Sequence, residues 1–231
     1  MNHTTRFSAI CPSEVIGELN AYIFGNGAIG SFTAEQLCRM GVVNFNLFDN
    51  DIVEIENVGV SGYYKQDIGR TKAHALALKL REINDSVDVK VYIDRITEDS
   101  AHQIQFDTKK SLVILAFDNM ETRYYIAESA CKSRVPYLLD ARMGAETFQL
   151  YTYVKPRFSE YVASWYSDDD GDDEPCNAKA TPYCASMAGA FIANSVRKLI
   201  TQQPFKRKIL FNFPAMLLVN TNHVISEHRS S

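Results

Sequence analysis

Apolar positions along the chain fall into two rhythms. Ala21-Tyr-Ile-Phe24 and Ser111-Leu-Val-Ile-Leu-Ala-Phe117 are short, nearly unbroken apolar runs, the pattern of strands covered on both faces. Val43 to Phe48 and Tyr137 to Ala141 fit further strands, and Val87 to Ile93 alternates as another. Helical spacing separates them. Phe32, Leu37 and Met40 can share one face between Ser31 and Met40, with Gly41 as the stop. Asp67-Ile-Gly-Arg-Thr-Lys-Ala opens a helix running to about Ile83, while Asp99 to Phe106 and Glu121 to Ser133 give two more. Ile52 to Ile68, with Asn57, Gly59, Gly62 and two tyrosines, has the texture of a loop. Strands alternating with helices predict the α/β class, a doubly wound Rossmann-like, mostly parallel sheet with helices on both faces.

After about Met143 the texture changes. Thr147 to Lys155 and Lys208 to Val219 are rich in β-formers, and a helix is expected from about Cys184 to Ile200. The acidic run Ser167 to Glu174 between them has the composition of a solvated loop. The expected organisation is one domain over 1–231. It comprises an N-terminal arm (1–20), a βαβ core (21–142) and a C-terminal antiparallel extension of strands, acidic loop and helix (143–231).

Composition narrows the function classes. A net charge of −4 and a pI near 5.8 leave no electrostatic footprint for nucleic acid or an anionic membrane. Neither a membrane-spanning apolar run nor a signal-peptide core is present, so a cytoplasmic address is expected. The five cysteines form no C-x-x-C pair and the five histidines are scattered, so no structural zinc is expected.

One motif carries chemistry by itself. Gly25-Asn-Gly27-Ala28-Ile29-Gly30 follows a strand and opens a helix, where glycines permit a tight turn and a phosphate meets backbone N–H groups at a positive helix end. Asp49, at the end of the second strand, is placed to bond a ribose hydroxyl. That much indicates a nucleotide and leaves NAD, FAD, SAM and ATP open.

Three further motifs decide among these. Asp49-x-Asp51-x-Val53-Glu54-x-x-Asn57, Asp67-Ile-Gly-x-x-Lys72-Ala and Phe117-Asp118-Asn119-x-x-x-Arg123 follow in order. Together they resemble the ThiF/MoeB/HesA superfamily of ubiquitin-activating-enzyme-like adenylyltransferases, from Ala21 to about Gly144 and more faintly through Cys176 to Leu199. The resemblance implies ATP and Mg²⁺ as cofactors and activation of the C-terminal carboxylate of a ubiquitin-like or sulfur-carrier protein or a peptide. It places the nucleotide against Gly25, Gly27, Ala28, Ile29, Gly30 and Asp51, with Asp49 on its ribose. Asn57 would orient the triphosphate and Lys72 would neutralise it. Asp118 would hold the metal, with Asn119 and Arg123 positioning it. Homodimers are usual in the family, and a homodimer is expected here.

The chain departs from the pattern at one point. Family members often carry Asn-x-x-Arg-Gln after the second strand, and here Val60 and Ser61 replace the arginine and glutamine. Arg142 could substitute, as could Arg6, whose Arg6-Phe-Ser setting resembles the segment that reaches the partner subunit's site in family dimers. Cys176, after the acidic run, is the candidate acyl acceptor. Two alternatives follow: a catalytically inactive nucleotide-binding or scaffolding subunit of an activating complex, and an NAD-dependent oxidoreductase, which leaves Lys72 and Asp118 without a task.

Overall fold

The computed structural model describes residues 3–167 and 180–224, the last four by backbone alone. After a 3-10 turn at Thr5–Phe7 and the short α1 (Ser13–Ile16), strand β1 (Asn20–Phe24) leads into α2 (Ala28–Met40) and β2 (Asn44–Phe48). Then come α3 (Ile55–Val60), a second 3-10 turn (Lys65–Asp67), α4 (Lys72–Ile83), β3 (Asp88–Tyr92), α5 (Glu98–Gln103), β4 (Ser111–Leu115) and α6 (Met120–Lys132). The remainder is β5 (Tyr137–Gly144), β6 (Thr147–Val154), α7 (Phe158–Val162), α8 (Pro182–Ile200), β7 (Phe205–Asn212) and β8 (Leu217–Val224). All eight strands join one sheet in the order β3-β2-β1-β4-β5-β6-β7-β8. The first five are parallel and the last three are added antiparallel.

Strand alternation divides the core in two. Ala21 and Ile23, Leu112 and Ile114, and Leu139 and Ala141 point to the face that also buries Leu37, Leu76 and Ile192 of α2, α4 and α8. Tyr22 and Phe24, Val113 and Leu115, and Leu138 point to the other, with Ile126 and Ala127 of α6 and Tyr161 of α7. Each such fully buried large side chain contributes about 1.5–3 kcal/mol of transfer free energy. The strands therefore had to be apolar on both sides, which is why they stand out in the sequence.

Several boundaries differ from those expected. The stretch Ile52 to Ile68 is not all loop: α3 forms inside it, closed by a reciprocal box in which the Glu54 N–H donates to Asn57 Oδ1 at 2.8 Å. The helix expected from Asp67 begins at Lys72, because Gly69 sits at φ +87° and Thr71 is extended. Asp67 instead accepts from the Tyr64 N–H at 2.8 Å and closes the preceding 3-10 turn. The division placed at residue 142 falls inside β5, which continues to Gly144 and turns directly into β6. The β-forming stretch Lys208 to Val219 contains parts of two strands, with the β7–β8 turn between them. The strands of the extension thus widen the sheet.

Candidate functional site

Parallel strands end in a row, and the ends of β1, β2, β4 and β5 border a cleft of about 490 Å³. Its lining includes Gly25, Gly27, Ala28 and Ile29 from the β1–α2 turn, and Asp49 and Asp51 after β2. Asn57 and Val60 of α3, Lys72 of α4, Asp118 after β4, and Arg123 of α6 complete that group. A smaller recess of about 170 Å³ shares Gly25, Asp49, Asp51 and Asp118 with it and adds Asn119, Arg95 and Ile96.

Each glycine of the turn has its own reason. Gly25 lies at φ +87°, and a Cβ there would come within 2.6 Å of Phe117 Cβ and 2.7 Å of Phe117 N. Gly30 lies under the turn and is not part of the lining; a Cβ on it would sit 1.9 Å from the Gly25 carbonyl oxygen. Only a bare backbone lets α2 start this close to β1. Gly27 is different. A Cβ there meets nothing within 4 Å, so its freedom is toward the open cleft.

Polar groups fix the acidic side. Asp49 accepts from the N–H of Asn26 at 2.6 Å and of Asp51 at 2.9 Å. Burial pushes its carboxyl above the usual range, against the opposing pull of those N–H groups and of Lys72. The Lys72 ammonium lies 2.8 Å from Asp51 Oδ2, and the Lys72 N–H donates to the Asp51 carbonyl at 2.8 Å. Tyr63, buried, ties this side to the glycine turn: its hydroxyl lies 2.6 Å from the Asn26 carbonyl and 3.0 Å from that of Lys72. Asn119 Oδ1 caps α6 by accepting from the Thr122 N–H at 2.6 Å, leaving Asp118 exposed at the rim.

The ThiF family pattern matches residues 8–229. The chain belongs to the ThiF family. Relatives of this ThiF chain include the sulfur carrier protein ThiS adenylyltransferase of Bacillus subtilis, 34% identical over 144 residues, which are 60% of this chain and 42% of that protein. The ubiquitin-like modifier-activating enzyme 5 of Caenorhabditis elegans is 32% identical over 214 residues, 84% of this chain and 51% of the relative. The chain spans about half the length of these curated relatives. Among solved structures, Escherichia coli MccB with ATP superimposes with a TM-score of 0.77 at 14% identity, covering 99% of this chain and 73% of MccB. This likeness establishes the fold.

Not every candidate joins the cleft of this ThiF chain. Arg6 lies exposed on the first 3-10 turn, outside the lining. Cys176 and the acidic stretch from residue 168 lie outside the described residues. Burial raises the thiols of Cys38 to about 11, Cys131 to about 12 and Cys184 to about 11, and raises Cys11 as well. None of these four is a primed nucleophile. Trp165 packs against Tyr124, and its ring N–H donates to the Met120 carbonyl at 2.8 Å.

Arg123 is anchored rather than free. It donates to the carbonyls of Leu115 and Ala141 at 3.3 and 2.9 Å, to that of Phe117, and to Asp140. Asp140 and Tyr63 carry no local sequence signal, since their importance lies in long-range contacts. Among the described residues no helix is long and apolar enough to cross a membrane.

The residues present fit ATP with Mg²⁺. The open side of Gly27 gives a phosphate access to the helix N-terminus. Among the described residues there is no cluster of three or more His, Cys, Asp or Glu side chains able to hold a metal. One exposed carboxylate, Asp118, suits an ion that keeps waters and takes its other ligands from phosphate.

Proposed function

We propose that this chain is an ATP- and Mg²⁺-dependent adenylyltransferase that activates the C-terminal carboxylate of a ubiquitin-like or sulfur-carrier protein or a peptide. What supports the reading above all is that Lys72 and Asp118, 46 positions apart in sequence, line one cleft with the glycine turn. Curated relatives named as adenylyltransferases support it further.

Bound ATP would supply an electrophilic α-phosphorus with pyrophosphate as its leaving group. The protein's part is positioning and charge neutralisation. Asp49 would accept from the ribose, and the N–H groups opening α2 would hold phosphate. Lys72, released from Asp51, would place its point charge on the phosphates. Asp118 would hold the metal, and Asn119 would fix the loop that carries it. Asn57 would orient the triphosphate tail. The chain acts as a homodimer in this proposal, with Arg6 and Cys176 as the residues assigned to the partner subunit's site and to acyl transfer.

The test is ATP–pyrophosphate exchange with a small protein or peptide that co-purifies with the chain and has a free C-terminus. Exchange is expected to need that partner and Mg²⁺, and to vanish in Lys72→Ala and in Asp118→Ala while the unfolding midpoint holds. Exchange retained by either variant refutes the roles assigned. Val60, an apolar side chain in the cleft lining, favours a second reading as a non-catalytic nucleotide-binding subunit. That reading predicts partner binding without exchange in the wild type, with partner affinity untouched by both substitutions.

A further inference from the structure

At the β5 end of the cleft, Asp140 and Arg142 project to the same face of the strand and meet Arg123 of α6. All three are buried, at 0%, 5% and 3% exposure. Asp140 receives Arg123 on Oδ1 and Arg142 on Oδ2, the latter through Nε at 3.0 Å and Nη2 at 2.6 Å. Two guanidiniums therefore share one carboxylate, and the cluster keeps one positive charge over. A buried charge of that kind is stabilised by a counter-charge.

The two arginines are not equivalent. Arg123 spends its terminal nitrogens on Asp140 and on the carbonyls of Leu115, Phe117 and Ala141. Arg142 spends one more donor on the Ser164 carbonyl at 2.8 Å, which leaves two of its five N–H groups unused among the described residues. Two rings approach it, Tyr151 and Tyr166, whose centres lie 4.7 and 5.0 Å from the guanidinium carbon. Asp140 and the two rings thus fix a planar cation in place, with Arg142, Met143, Gly144 and Tyr166 all lining the cleft. In the sheet, β5 stands two strands from β1, or roughly 10 Å at the usual strand spacing. That is within reach of a phosphate chain seated at the glycine turn, or of a second substrate approaching it.

We propose that Arg142, positioned by Asp140 and flanked by Tyr151 and Tyr166, is an oxyanion anchor in the cleft. The anion is a phosphate of the nucleotide or the carboxylate of the acyl substrate, sources that share their chemistry and differ in the test. The inference rests on the nucleotide-binding reading of the cleft and adds a recognition residue to it. Arg142→Gln is the informative variant, because it leaves Arg123 and Asp140 as a one-to-one pair.

Calorimetry with four probes separates the outcomes: adenosine, ATP, inorganic pyrophosphate, and N-acetylglycine added to protein saturated with a non-cleavable ATP analogue. Adenosine affinity is expected to stay within about twofold. Either the two phosphate arms or the carboxylate arm should weaken about tenfold to a hundredfold, the size of a lost charge-assisted contact. Loss in the ATP and pyrophosphate arms identifies phosphate, and loss in the N-acetylglycine arm identifies carboxylate. If Arg142→Gln fails to fold, Arg142→Lys keeps the charge but not the fork, and the same selective loss is expected at smaller size. Unchanged binding in every anionic arm by the folded variant overturns the proposal. A wild type that binds neither adenosine nor ATP overturns the nucleotide reading instead, and the pyrophosphate arm then decides the anchor alone.

Discussion

The same substitution made two residues apart should produce opposite failures. Gly25→Ala forces a left-handed residue, costing about 1–2 kcal/mol. It also drives a methyl group to 2.6 Å from Phe117 Cβ and 2.8 Å from the Ala116 carbonyl carbon, in the segment just past the end of β4. Overpacking of that kind adds about 1–3 kcal/mol, so the fold should lose roughly 2–5 kcal/mol. At about 2–4 °C per kcal/mol for a chain of this size, the melting temperature falls by roughly 4–20 °C. Gly27→Ala places its methyl group where nothing lies within 4 Å, on the cleft side of the helix start. Its stability should change by about 1 kcal/mol or less, but the methyl group occupies the approach of a phosphate. Thermal unfolding with and without Mg²⁺ and ATP checks both. Gly25→Ala is expected to melt early, while Gly27→Ala melts near the wild type and has lost the ATP-dependent shift. If Gly27→Ala melted as early as Gly25→Ala, or kept the full ATP shift, the assignment of this turn would be wrong.

Other outcomes follow from the buried charges and thiols. Asp140→Asn strips the shared carboxylate from two buried guanidiniums and should cost about 3–5 kcal/mol in urea unfolding; a loss under about 1 kcal/mol contradicts that arrangement. Because burial raises the folded-state pKa of Asp49, its proton is held more tightly folded than unfolded. Stability from this group is therefore present below the ordinary carboxylate range near 4 and is lost as pH rises through the raised value. The stability of wild type minus that of Asp49→Asn should fall across that window, and a difference that rises with pH would reverse the sign argued here. Cys131, pushed up to about 12, carries roughly a thousandfold less thiolate than an ordinary cysteine at neutral pH. Mass-resolved alkylation at pH 7.5 should find Cys38, Cys131 and Cys184 far slower in the folded protein than in urea, and equal rates would contradict the burial described.

Sheet-forming segments were legible because burial on both faces demands unbroken apolar runs such as Ser111 to Leu115, and the glycine turn because steric need at Gly25 and Gly30 admits no other residue. Asp49, Lys72 and Asp118 were legible through motif order, and the cleft collects them. What escaped is what depends on contacts distant in sequence. Tyr63 has the look of a loop aromatic until its hydroxyl is seen between Asn26 and Lys72. Asp140 sits in an apolar run and reveals its part only when Arg123 and Arg142 arrive from α6 and its own strand. The β7–β8 turn, spanning Phe213 to Met216, lacks the Asn-Gly or Asp-Gly pair that marks a tight hairpin, so its position inside the β-forming stretch carries no local signal.

The central claim is that Lys72 and Asp118 act on one triphosphate–magnesium complex, and titration of ATP into the protein tests it most directly. With Mg²⁺ present, Lys72→Met should bind ATP about tenfold to a hundredfold more weakly than the wild type. Asp118→Asn should bind it equally with Mg²⁺ or with EDTA, having lost the metal's contribution. Wild-type affinity and metal dependence in both variants would contradict the account.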